Sequence, residues 1–194
     1  MNAARPNTRA MVWNIVSLNV GWWSCVLDAV HGTAWIGPLI VLALVCVHLC
    51  IVPARRREVV TLFAVAVLGY VADSALVLAG IIDFPLSARL GAPSTLWMVA
   101  LWVNFATSLN LALYWLARRP WLAAILGAAG APTAYYSGTH LGALLTPAGA
   151  TMLVLAVALE WAVATPLMLE AALRIGRWAR QPVPLEAATA GSAT

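Results

Sequence analysis

AWIGPLIVLALVCVHLCIVPARRR, residues 34–57, decides the class of this protein. From Ala34 to Pro53 no aspartate, glutamate, lysine or arginine interrupts the apolar run. A helix of about 20 such residues spans the roughly 30 Å hydrocarbon core of a bilayer. Lipid offers no partner to free backbone groups, so the run has to be helical. Arg55, Arg56 and Arg57 follow at once, and arginine beside a span marks its cytoplasmic end.

The rest of the chain agrees with that stretch. Of 194 residues, 63% are hydrophobic and 9% charged, whereas a soluble domain carries about a quarter charged residues. A soluble globular fold is excluded because the chain cannot cover itself in water. The net charge of +4 is all arginine beside apolar runs, which reads as topology and attraction to anionic lipid rather than to nucleic acid. Ten tryptophans fit the headgroup level of a membrane.

Five more segments qualify as spans: 11–31, 59–82, 95–117, 120–137 and 148–172. Arg5 and Arg9 precede the first, but its run is too long for a signal peptide and no cleavage site follows, so it reads as an uncleaved span. With the N-terminus inside, ten arginines fall on the cytoplasmic side and only Arg89 outside. The expected fold is all-α: a polytopic bundle of six transmembrane helices, both ends cytoplasmic, in a bacterial inner membrane. Residues 1–180 form the single domain, 83–94 an irregular outer loop, and 181–194, rich in Pro, Ala, Gly and Ser, a disordered cytoplasmic tail. The recurrence of Ser17-Leu18-Asn19 as Ser108-Leu109-Asn110 does not mirror in depth, so no inverted repeat is read from it.

Charge inside a membrane costs roughly 2.5–3.5 kcal/mol per residue on insertion scales, so each instance calls for a reason. Asp73, Asn104 and Glu160 fall at one depth near the midplane when counted at about 1.5 Å per residue, which points to a shared pocket or network. In the first span Asn14, Ser17, Gly21, Ser24, Cys25 and Asp28 form one stripe, opposite Ile15, Val16, Val20, Trp23 and Leu27. Ala66, Gly69, Asp73 and Gly80 line the third span. Asn104, Thr107, Ser108 and Asn110 occupy a polar sector of the fourth, with Trp97 and Trp115 near the Asn104 direction. Such faces also serve purely to pack helices together. The expected ligand-binding set is Asp73, Glu160, Asn104, Asn19, Asp28, Asn110 and Trp97.

Other chemistry is less favoured. Cys46 and Cys50 share a helix face, but His48 points to the other side, so no metal site is expected. Cys25, Asp28 and His31 lie along one face where a nucleophile and base are conceivable, though a packed cysteine and an interfacial histidine explain them as well. An odd cysteine count leaves no complete set of disulfides. Pro132 and Pro166 each remove a helical bond within a span. No cofactor motif is present, and catalytic residues are not assigned.

Five stretches carry a resemblance: NVGWWSCV (19–26), GYVADS (69–74), LWMVALWVNFAT (96–107), RPW (119–121) and GAAGAPTAY (127–135). Over residues 15–145 the chain resembles the bacterial inner-membrane family of the domain of unknown function 2878. That resemblance implies a small six-span membrane fold and supplies no catalytic residues. The functional expectation is binding or transport of a small solute or lipid at the midplane site. An intramembrane lipid-modifying enzyme and a membrane scaffold or assembly subunit are the alternatives. Expected partners are membrane lipids and the ligand itself. A protein partner or homo-oligomer is compatible with the helix faces, and nucleic acid is not expected.

Overall fold

A computed structural model describes residues 8–178. Among these, six α-helices follow one another: α1 (Thr8–His31), α2 (Ile36–Ile51), α3 (Arg55–Leu78), α4 (Leu96–Ala106), α5 (Pro120–Leu141) and α6 (Ala150–Trp178). Two short 3-10 turns, Leu86–Ala88 and Tyr114–Arg118, lie in the links around α4. The fold is all-α. The positions expected to form a tail, 181–194, lie outside the described residues.

α1, α3 and α6 are long and apolar enough to cross a membrane, and α2 and α4 are shorter apolar helices. This is the composition of a membrane protein. Its outer surface agrees: Phe63, Val71, Leu155, Leu159 and Leu167 are exposed along the long helices, where a soluble protein would place charge.

Glycine ends three of the helices in the same way. Gly32, Gly80 and Gly142 take positive φ just past α1, α3 and α5. At each, one N–H bonds back three residues and the next bonds back five, as from Thr33 to Asp28, Ile81 to Leu76 and Ala143 to Gly138. These bonds satisfy the last carbonyls of each helix. α5 also begins with Pro120 at its first turn, where a missing N–H costs nothing.

The three turns gather at one end of the molecule. Asp83 and Leu145 exchange backbone bonds of 2.9 and 2.8 Å, joining the link before α4 to the link before α6. Gly32 packs on Ser87. The irregular 83–94 segment is therefore tied down along its length. Phe84 and Ala88 are buried, Tyr70 donates 2.7 Å to the Ala92 carbonyl, and Arg89 bridges Asp83 at 2.5 Å. At the opposite end α3 starts against the end of α6, with Arg56 stacked over Trp178 and Arg57 against Gly176.

The expected fourth span, 95–117, is broken. α4 stops at Ala106, and the N–H groups of Thr107, Ser108 and Leu109 turn to carbonyls three residues back. Two hydroxyls compete for the same acceptors: Thr107 donates to the Asn104 carbonyl at 2.7 Å and Ser108 to that of Phe105 at 2.6 Å. The polar sector thus ends the helix instead of lining one side of it, and Trp115 swings out to an exposed position. The fifth segment is longer than the expected 120–137, and Pro132 and Pro166 sit inside α5 and α6 without ending them.

Candidate functional site

Asp73 is fully buried on α3, and both of its carboxylate oxygens have partners. The Trp102 indole N–H of α4 donates to one at 2.8 Å, and the Tyr135 hydroxyl of α5 donates to the other at 2.5 Å. Three helices therefore meet on one carboxyl. Gly69, one helical turn before Asp73, makes this possible. A Cβ there would fall within 3.0 Å of three Trp102 ring atoms, so the indole lies directly across the bare glycine.

Trp102 carries the cluster onward to α6. Its ring stacks on Trp161 at 4.4 Å between centroids, and Phe105 meets Trp161 edge-on at 5.0 Å. Beside Trp161 stands Glu160, with both carboxylate oxygens buried and without a hydrogen-bond partner among the described residues. It lies within electrostatic reach of Asp73 and of the Tyr135 hydroxyl. The two acids read as midplane groups thus converge on one aromatic cluster.

Asn104 faces elsewhere. Two residues on from Trp102, its side chain points to α1, donates 2.9 Å to the Leu18 carbonyl and packs on Gly21. Asn14 donates 3.0 Å to Thr107 in the same seam. The α1 stripe divides largely as its pattern predicts: Asn14, Ser17, Gly21, Cys25 and Asp28 are buried, and Ile15, Val16, Val20, Trp23 and Leu27 are exposed, but Ser24 is only half-buried and donates 2.7 Å to the Val20 carbonyl of its own helix.

A cavity of about 480 Å³ opens between α1 and α4 on one side and α5 and α6 on the other. Trp102, Tyr135, Trp161 and Asn104 form part of its wall, together with Trp97 and Asn19. Of the expected ligand-binding set, Asn104, Asn19 and Trp97 therefore line the cavity. Asp73 stands behind Trp102 and Tyr135, and Glu160 stands beside Trp161; neither is part of the wall.

Asp28 and Asn110 are placed apart from it. Asp28 accepts from the Gly37 N–H at 2.9 Å and from the Thr33 hydroxyl, which caps the start of α2 and fixes the α1–α2 turn. Asn110 sits in the turn after α4 with its amide nitrogen buried and without a partner among the described residues. Cys25 is fully buried against Gly37, and exposed His31 bonds the Leu27 carbonyl within its own helix. Cys46 and Cys50 are exposed while His48 is buried, so the helix separates them as its geometry requires.

Sequence reasoning passed over Glu58, which meets His48 at 3.4 Å in a buried pair between α2 and α3. Its signal was an acid set in the first turn of a helix behind three arginines. Tyr135 and Trp102 were also missed as partners of Asp73. Both lie in the stretches that carry the family resemblance, but only the fold shows that they meet.

A buried carboxyl held by indole and phenol donors, beside an apolar cavity among membrane-type helices, defines an all-α membrane protein with an internal polar-aromatic core. Over residues 11–167 the chain matches the family described as Protein of unknown function (DUF2878), and it belongs to that family. No curated protein and no solved structure matches it.

Proposed function

We propose that this protein crosses a bacterial inner membrane six times with both ends in the cytoplasm, and that it binds a small solute or lipid in the cavity beside the Asp73 cluster. The six-span reading is supported by where the arginines fall. The end holding the start of α3 and the end of α6 carries Arg55, Arg56, Arg57 and Arg177, and the opposite end carries Arg89. The short helices α2 and α4 are compatible with it, because a broken helix is tolerated where protein surrounds the freed backbone groups.

The observation that carries the binding reading is the cavity itself. At about 480 Å³ it is within the usual range for ligand sites, mostly apolar with a few polar groups, and it backs onto two buried acids. Binding of a ligand that loosens the Trp102 and Tyr135 contacts would be felt directly at Asp73. This coupling suits a transporter or the binding subunit of one.

The scaffold reading has one observation in its favour: Asp73 is already satisfied by two partners from two other helices, which a purely structural clamp also needs. The enzyme reading draws less support. The wall hydroxyls of Thr133 and Ser137 donate to carbonyls of their own helix at 3.0 and 2.7 Å, and the Tyr135 hydroxyl, which does meet a carboxylate, is a phenol held by Asp73 between α3 and α5.

Mass spectrometry of molecules retained in native lipid discs tests the proposal, comparing wild type with Asp73→Asn and Glu160→Gln. A defined molecule held by wild type and lost from the variants is expected. Identical bulk phospholipid in all three samples would transfer the case to the scaffold reading.

A further inference from the structure

The cavity's shape, lining and mouth specify what enters it. Along α5 its wall runs from Leu126 to Gly138, about 18 Å at 1.5 Å per residue, so it is elongated parallel to the helices. None of its lining residues is Asp, Glu, Lys, Arg or His. A charged solute would lose its hydration there without gaining a counter-charge on the wall.

The mouth is on the side, not at an end. The lining residues that are also exposed include Asn19, Leu126, Gly130 and Thr133. Asn19 is the twelfth of 24 residues in α1, and Gly130 is the eleventh of 22 in α5. Both rims therefore fall halfway along their helices, at the level where a spanning helix faces hydrocarbon rather than water. The neighbouring outward residues, Val16, Val20 and Ile125, are exposed and apolar, as a lipid-facing surface requires.

Resting on the binding reading above, we infer that the occupant is the uncharged hydrocarbon chain of a bilayer lipid, which enters sideways between α1 and α5. A cavity of about 480 Å³ that runs about 18 Å along α5 has the shape for a length of acyl chain. Trp102, Phe105 and Trp161 supply the aromatic surface against which the chain packs. Gly130 on this rim borders open space: a Cβ there would meet no atom within 4 Å.

That open space makes the inference testable without disturbing the core. The protein is reconstituted in phosphatidylcholine vesicles containing a fraction of phosphatidylcholine with a diazirine on one acyl chain. After irradiation, labelled residues are mapped by mass spectrometry. Labelling of the wall at Leu101, Phe105 and Ala134 is expected alongside labelling of the lipid-facing Phe63 and Leu159. Gly130→Trp closes the mouth, so wall labelling should be lost while labelling at Phe63 and Leu159 persists. Thr133→Trp, on the same rim, is the second variant should Gly130→Trp fold poorly. A wild-type wall that stays unlabelled while Phe63 and Leu159 react, or a wall labelled equally in a folded mouth variant, overturns the inference. A water-soluble molecule lost from Asp73→Asn, with the wall unlabelled, would refute the lipid chain and leave the binding reading standing. A labelled wall with identical retained lipid in both carboxyl variants would keep the chain and remove the acids from its recognition.

Discussion

Adding one methyl group at Gly69 should unseat the centre of the molecule. In Gly69→Ala the new Cβ would lie within 3.0 Å of the Trp102 ring, which is 1% exposed, stacked on Trp161 and bonded to Asp73. Trp161 stacks on the ring and Asp73 holds its nitrogen, so it can yield only towards the cavity and only by giving up those contacts. Overpacking of this kind costs about 1–3 kcal/mol. Displacing the indole also leaves a buried carboxylate oxygen short of its donor, for about 1–3 kcal/mol more. Alanine returns about 1 kcal/mol as the better helix former. The net loss is therefore roughly 1–5 kcal/mol, most of it in the α3–α4 contact. Gly130→Ala is the matched control, a mid-helix glycine with open space around it, and should be neutral or gain up to about 1 kcal/mol. Unfolding of both variants in mixed micelles titrated with denaturing detergent gives the comparison. Equal stability of Gly69→Ala and Gly130→Ala would refute the packing argument, because helix propensity alone predicts equality.

Three further outcomes follow from the same contacts. Tyr135→Phe removes one of the two donors to Asp73 and should cost about 1–3 kcal/mol in the same titration; an unchanged midpoint would show that the bond does not support the fold. Asp28→Ala strips the cap from α2 and should destabilise by about 0.5–2 kcal/mol while leaving ligand retention intact, and loss of ligand at full stability would instead make Asp28 part of the binding site. In a background with all three native cysteines replaced by alanine, Leu86→Cys should react with an impermeant maleimide from outside intact cells, and Arg118→Cys only after permeabilisation. Reaction of both from the same side would break the six-span topology.

The individual elements show what could be read in advance. The polar stripe of α1 was legible because period and polarity agree at Asn14, Ser17, Gly21, Cys25 and Asp28, and lipid outside the bundle rewards only one orientation. Gly32, Gly80 and Gly142 were less so. Gly80 in particular stands in line with Gly69 and Asp73 on a helical projection, yet it lies beyond the helix and ends it. α4 was misread as a single span because hydropathy averages over a window and does not register the competition of Thr107 and Ser108 for backbone carbonyls.

By itself the sequence determined the class of the protein, the approximate positions of the helices other than α4, the inward face of α1, and the presence of two acids that need partners. These follow from burial and from backbone bonding, which act within one segment at a time. Only the tertiary structure decided that Asp73 is closed off by Trp102 and Tyr135, that Asn104 turns to α1, that Asp28 is a cap, and that a cavity opens halfway up the side. Residues 73, 102 and 135 sit on three helices, and their meeting depends on how those helices are rotated and crossed. That arrangement is set by the fit of side chains such as Trp102 over Gly69, a property of pairs of surfaces that no single stretch of sequence contains.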